Sequence, residues 1–184
     1  MKLNRSMIVT LAVLIAAAAL YRIMPNRPFG FAPQIAMALF GGAVVKDRKW
    51  AFALPIFSMF VSDALYEVLF QTGFTTIHGF YSGQWINYLE FASVTIIGFF
   101  MKKISVKTVL TFGILAPTWF FLISNFTVWA SATEVTYSKD IVGLLSCYAA
   151  GLPFYLNSIY ATCVFGAVFF GAWVYLTKNN LTKA

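Results

Sequence analysis

Long apolar runs alternate with short polar breaks along this chain, and the alternation predicts a bundle of membrane helices. A helix needs about 20 mainly apolar residues to cross the roughly 30 Å hydrocarbon core of a bilayer. Six segments approach that length, at residues 7–23, 31–45, 50–70, 85–101, 107–129 and 157–176. We therefore predict an all-α integral membrane protein with six transmembrane helices, in one domain over residues 1–184.

The first segment follows two basic residues, Lys2 and Arg5, as the apolar part of a signal peptide also would. Its apolar stretch is long, and Tyr21 and Arg22 follow it without a clear cleavage site. This favours a retained helix, with a cleaved signal peptide as the alternative.

The stretch before the last segment has a different pattern. Residues 130–140 are polar, and the apolar run 141–153 is too short to cross a bilayer. The pattern predicts an extra short apolar helix in the outer loop before the last span. Such a helix is either partly inserted into the membrane or lies on its surface.

Composition supports a lipid environment, because 60% of the residues are apolar and 10% are charged. Soluble domains carry about 25% charged residues. The net charge of +7 comes from short basic clusters between apolar runs, not from one patch, so we expect no nucleic-acid partner. The distribution of these clusters instead indicates how the chain is oriented in the membrane.

Basic loop residues concentrate on one side of the predicted bundle. Ten lie there: Lys2, Arg5, Lys46, Arg48, Lys49, Lys102, Lys103, Lys107, Lys178 and Lys183. Only Arg22, Arg27 and Lys139 lie on the other side. The positive-inside rule then predicts that both termini are cytoplasmic, in a multi-pass protein of the bacterial cytoplasmic (inner) membrane.

Three ionisable residues fall within predicted spans, Asp63, Glu67 and Glu90. Such residues cost about 2.5–3.5 kcal/mol on insertion scales and are functional candidates by default. The spacing of Asp63 and Glu67 places both on one helical face. All three lie in the outer half of the bundle, as do other polar and aromatic candidates: Asn87, His78, Asn125 and Trp129. These seven residues predict a binding pocket that is open to the exterior.

Structural roles are the alternatives for the same residues. Asp63 and Glu67 would pair with Arg22 or Arg27 and hold helices together, and Glu90 would be solvated near the interface. Asn125 would cap a helix or bond across helices. His78 would then be an ordinary loop histidine.

The sequence offers little for cofactor chemistry. It has one histidine and two cysteines, Cys147 and Cys163, both inside apolar runs and expected to be free thiols. We therefore predict no metal site and no cofactor. No glycine-rich phosphate-binding loop is present, so the chain itself is not expected to hydrolyse ATP.

Several stretches carry a resemblance to a known group of proteins. They are Arg22–Gly42, Ser62-Asp63, Ser124–Trp129 and Gly143–Phe154. These stretches resemble an uncharacterised bacterial family of predicted transport proteins. That family is similar to the substrate-binding S components of energy-coupling-factor vitamin transporters. The resemblance implies six helices, a substrate pocket near the outer surface, and a partner formed by a transmembrane coupling subunit with two ATPases.

The sequence therefore predicts a membrane-embedded, non-enzymatic subunit that binds a small, vitamin-like nutrient for uptake. Two alternatives are a structural or assembly subunit of a larger membrane complex and a proton-coupled carrier. A further alternative is an intramembrane enzyme that uses Asp63 and Glu67, although one histidine is few for such a site.

Overall fold

The computed structural model describes residues 5–181 and confirms the all-helical class. The helices in this part of the chain are α1 (Arg5–Ile23), α2 (Gln34–Val44), α3 (Arg48–Gln71), α4 (Gln84–Phe99), α5 (Val106–Ser131) and α6 (Ile141–Leu181). Helices α1, α3, α4 and α5 begin and end within two residues of the predicted segments. Lys2, Lys183 and both chain ends lie outside the described residues, so the cytoplasmic termini stay a prediction.

Three helices are long and apolar enough to cross a membrane: α3, α5 and the part Ile141–Thr177 of α6. Their length and composition support a membrane protein. The other helices are shorter in their apolar part, including α2 and residues Ala12–Ile23 of α1. Six complete spans therefore remain a prediction.

Helix α2 is the centre of the bundle rather than one of its walls. It has 11 residues, about 16 Å at about 1.5 Å per residue, which is half the thickness of a bilayer core. Every residue from Gln34 to Gly42 is buried. Helices α3, α4, α5 and α6 all pack against it. The helix starts three residues later than predicted because Gly30 has φ +79° and Pro33 disfavours helical backbone at Ala32.

Helices α2 and α4 cross at two glycines, Gly42 and Gly98. A Cβ atom added to Gly42 would lie 2.2 Å from the carbonyl oxygen of Thr95. One added to Gly98 would lie 2.5 Å from the carbonyl oxygen of Leu39. The two backbones are therefore in direct contact, and only glycine fits at either position.

The predicted separate helix at 141–153 is wrong, because these residues form the first part of α6, which runs unbroken from Ile141 to Leu181 with Pro153 inside it. The last segment was predicted to begin at residue 157, but Asn157 and its neighbour Ser158 lie inside α6 and bond to another part of the chain. The Asn157 side chain donates to the carbonyl oxygen of Phe29 at 2.8 Å, and the Ser158 hydroxyl donates to that of Gly30 at 3.0 Å. The pair anchors a loop and does not begin a helix.

Candidate functional site

Asp63 is at the centre of a buried polar cluster between α1, α3 and α4. Its side chain is 2% exposed and forms an ion pair with Arg22 through Oδ1. Its Oδ2 accepts hydrogen bonds from Gln84 Nε2 at 2.5 Å and from the Tyr88 hydroxyl at 2.7 Å. Arg22 also donates to the Ser62 hydroxyl at 2.6 Å. The alternative expectation that Asp63 pairs with Arg22 is thus confirmed.

This cluster joins three helices and uses the whole carboxylate. Three side chains donate to Asp63, one from α1 and two from α4, so the buried charge is both paired and hydrogen-bonded. The Arg22 guanidinium also lies over the Tyr66 ring, 5.6 Å from its centroid. A carboxylate engaged in this way holds the bundle together and has little capacity left for a ligand.

Glu67 lies near the C-terminal end of α3, where the loop 72–83 with His78 folds back on the helix. Glu67 accepts from the Gly79 amide at 3.1 Å and from the Gln71 side chain at 3.1 Å. The His78 ring packs on Phe70, with centroids 3.7 Å apart. Both side chains therefore fix the loop in position.

The other four candidate residues lie in separate contact groups. Asn87 donates to the Tyr81 hydroxyl, and Asn125 donates to the carbonyl oxygen of its own helix at Phe121, 2.8 Å away. Trp129 Nε1 donates to the carbonyl oxygen of Ser138 at 2.9 Å, beyond the end of α5.

Glu90 is also buried, and one of its carboxylate oxygens has no hydrogen-bond partner among the described residues. The alternative of a solvated Glu90 is therefore wrong, because the α4 backbone turns this position inward.

A cavity of about 470 Å³ opens beyond the C-terminal ends of α1 and α3. The loop after α1 contributes Met24, Asn26 and Arg27 to its wall, and α3 contributes Tyr66 and Leu69. The loop 72–83 closes the other side with Phe74, Thr75 and Ile77. Small-molecule sites have volumes of about 300–1,000 Å³, mostly apolar walls and a few polar groups. The cavity has each of these properties.

None of the seven predicted residues lines this cavity, although Glu67 and His78 are next in sequence to its lining residues Tyr66 and Ile77. The sequence contained one signal for it. Arg27 is one of three basic residues on the side predicted to be outer, in a loop rich in proline and glycine. That combination is typical of a structured functional loop.

The loop 24–33 is held firmly in place. The carbonyl oxygen of Arg22 accepts from Arg27 Nε at 2.8 Å and from the Tyr66 hydroxyl at 2.8 Å. On the other side, Gly30 lies against α6 so closely that a Cβ atom would be 2.4 Å from the Phe154 carbonyl oxygen. Together with the bonds from Asn157 and Ser158, these contacts make one wall of the cavity rigid.

Arg27 gives the cavity a positive charge. Its guanidinium donates to backbone carbonyl oxygens, from Nε to Arg22 and from Nη1 to Phe31 at 3.4 Å. Among the residues that the structure describes, the only ion pair is Arg22–Asp63, so no carboxylate neutralises Arg27. An acidic group in the cavity would find an oriented cation there.

Residues 2–184 match the family model DUF6580, described as a family of unknown function. No curated protein and no solved structure matches the sequence.

Proposed function

The chain belongs to the DUF6580 family, and we propose that it is the substrate-binding subunit of an uptake system for a small, acidic, vitamin-like nutrient. The observation that carries this proposal is the cavity beyond α1 and α3, with its apolar walls and the charge of Arg27, which forms no ion pair within the described part of the chain. The protein captures the nutrient there and catalyses no reaction.

Topology supports the direction of capture. In the proposed arrangement of six spans, the cavity lies at the end of the bundle that carries Arg22 and Arg27. The opposite end carries the clusters Lys46–Lys49 and Lys102–Lys107. Under the positive-inside rule, the basic clusters face the cytoplasm and the cavity faces the exterior of the bacterial inner membrane.

Arg27 supports the acidic class of ligand. A guanidinium presents a planar set of donors that matches a carboxylate, and charge-assisted bonds of this kind are stronger than neutral ones. Two bonds to backbone carbonyls already orient the side chain, so little conformational entropy is lost when the ligand binds.

Energy for uptake comes from a partner in this proposal, a transmembrane coupling subunit with ATPases. A second candidate function is an assembly subunit of a membrane complex. The saturated cluster around Asp63 favours it, because a strut between helices needs no ligand.

The test is native mass spectrometry of protein purified in mild detergent from cells grown in rich medium. We expect a bound acidic small molecule in the wild type, and about 10-fold or greater loss of affinity in Arg27→Met, because hydrogen bonds to charged groups contribute about 1.5–3 kcal/mol. Thr75→Trp, which fills the cavity without a change of charge, should also release the ligand. Lys139→Met also removes one positive charge, but from a loop that does not line the cavity. This variant should retain the ligand.

Three results separate the possibilities. A wild-type protein without a ligand that retains another membrane protein would reject capture and favour the assembly subunit. A ligand that Thr75→Trp releases but Arg27→Met retains would support capture and reject the acidic class. Equal loss in Lys139→Met and Arg27→Met would mean that surface charge, not the cavity, attracts the ligand.

A further inference from the structure

A second concave site lies at the opposite end of the bundle, between the first turns of α5 and the second half of α6. This groove has a volume of about 530 Å³. Its walls are almost entirely apolar, with Val106, Val109 and Leu110 facing Phe170 and Val174. Ala167 and Gly171 widen it, since a Cβ atom added to Gly171 would meet nothing within 4 Å.

Three lysines are close in sequence to the residues that line one end of the groove. Ile104 and Ser105 line it, and Lys102, Lys103 and Lys107 are their close neighbours in sequence. All three lysines are exposed. The only ion pair among residues with described side chains lies at the other end of the bundle, so no acidic side chain there neutralises this cluster.

We propose that this groove and the neighbouring lysines bind a membrane phospholipid with an anionic head group. The acyl chain lies along Ala167 and Gly171, and the head group contacts Lys103 and Lys107. A lipid supplies both features that the site lacks, an apolar filling and a negative charge at the membrane surface. Basic pockets between helices on the cytoplasmic side are known to bind acidic lipid head groups.

Charge complementarity favours a lipid over a helix of another protein. An apolar helix would fill the groove but leave the lysines without a counter-charge. The inference does not depend on nutrient capture, because the two sites share no lining residue.

The test uses the full chain in detergent with equal amounts of added phosphatidylglycerol and phosphatidylcholine, followed by native mass spectrometry. We expect the wild type to retain phosphatidylglycerol in clear excess, at least about fivefold. Lys103→Gln/Lys107→Gln should lower this ratio to near one. Lys46→Gln/Lys49→Gln removes two charges from the same predicted side, away from the groove, and should leave the ratio unchanged.

Gly171→Leu tests the acyl-chain part of the site, because it fills the groove and keeps every lysine. We expect it to reduce retention of both lipids severalfold while the melting temperature stays close to that of the wild type. If both double lysine variants lost the preference for phosphatidylglycerol equally, the proposal would be overturned. Normal lipid retention in Gly171→Leu would also overturn it. Retention of a second copy or another membrane protein in place of lipid would also overturn it.

Discussion

Gly98→Val should prevent the bundle from closing and leave little folded monomer after extraction into detergent. The side chain would collide with backbone atoms of α2, the Leu39 carbonyl oxygen and the Gly42 Cα, which cannot move aside as a flexible side chain can. Overpacking usually costs about 1–3 kcal/mol, and contact with backbone places this variant at the upper end of that range or above it. Size-exclusion chromatography after a series of heating steps would measure the effect.

Gly171→Val is the matched control, since it makes the same substitution on an apolar helix where the added atoms meet open space. Gly42→Val should behave like Gly98→Val, because it meets the Thr95 carbonyl oxygen. If Gly98→Val and Gly171→Val had the same melting temperature, α2 and α4 would not cross in direct backbone contact.

Asp63→Ala is the second variant with a large expected effect. It leaves the Arg22 guanidinium without its carboxylate and removes an acceptor from Gln84 and Tyr88. Loss of one partner of a buried pair costs about 3–5 kcal/mol, and we expect the lower end because Arg22 is 21% exposed. Thermal unfolding in detergent would show the loss as a lower melting temperature.

The double variant Arg22→Met/Asp63→Leu completes a thermodynamic cycle. We expect it to recover much of the stability that Asp63→Ala loses, because no unpaired charge remains. It should also retain the captured ligand, since Asp63 does not line the cavity. A stable double variant without ligand would instead assign the Arg22–Asp63 pair a part in binding.

Helices were predictable from this sequence wherever a long apolar run ended at charged or polar residues. The run predicted at 50–70 is bounded by Lys49 and Gln71, and the structure places the ends of α3 within two residues of it. Helix α2 was harder to predict, because apolar composition does not distinguish a buried central helix from one that crosses lipid. The length of α6 was missed because 141–153 was judged as a separate short run and a new segment was begun at residue 157. The polar side chains of Asn157 and Ser158 do not break the helix, since they bond to a loop 128 residues earlier in the chain.

Some features of the candidate site were likewise predictable from the sequence, and others were not. The high cost of a charge in lipid correctly marked Asp63 as a residue with a specific partner. The cavity itself depends on how two loops fold against α3, and no local pattern in residues 24–31 or 72–83 reports that they face each other. Arg27 was counted for topology, although its position on the cavity wall was not visible from its neighbours in sequence.

The length of α6 limits how the protein sits in a bilayer. Its 41 residues extend about 61 Å at about 1.5 Å per residue. Even at a steep tilt of about 40°, the helix rises about 47 Å, well above the roughly 30 Å core of the membrane. At least one end must therefore project beyond the hydrocarbon. Because apolar side chains such as Val142 and Leu145 are exposed on its first turns, a thicker bilayer would cover more of them and should hold the protein more firmly.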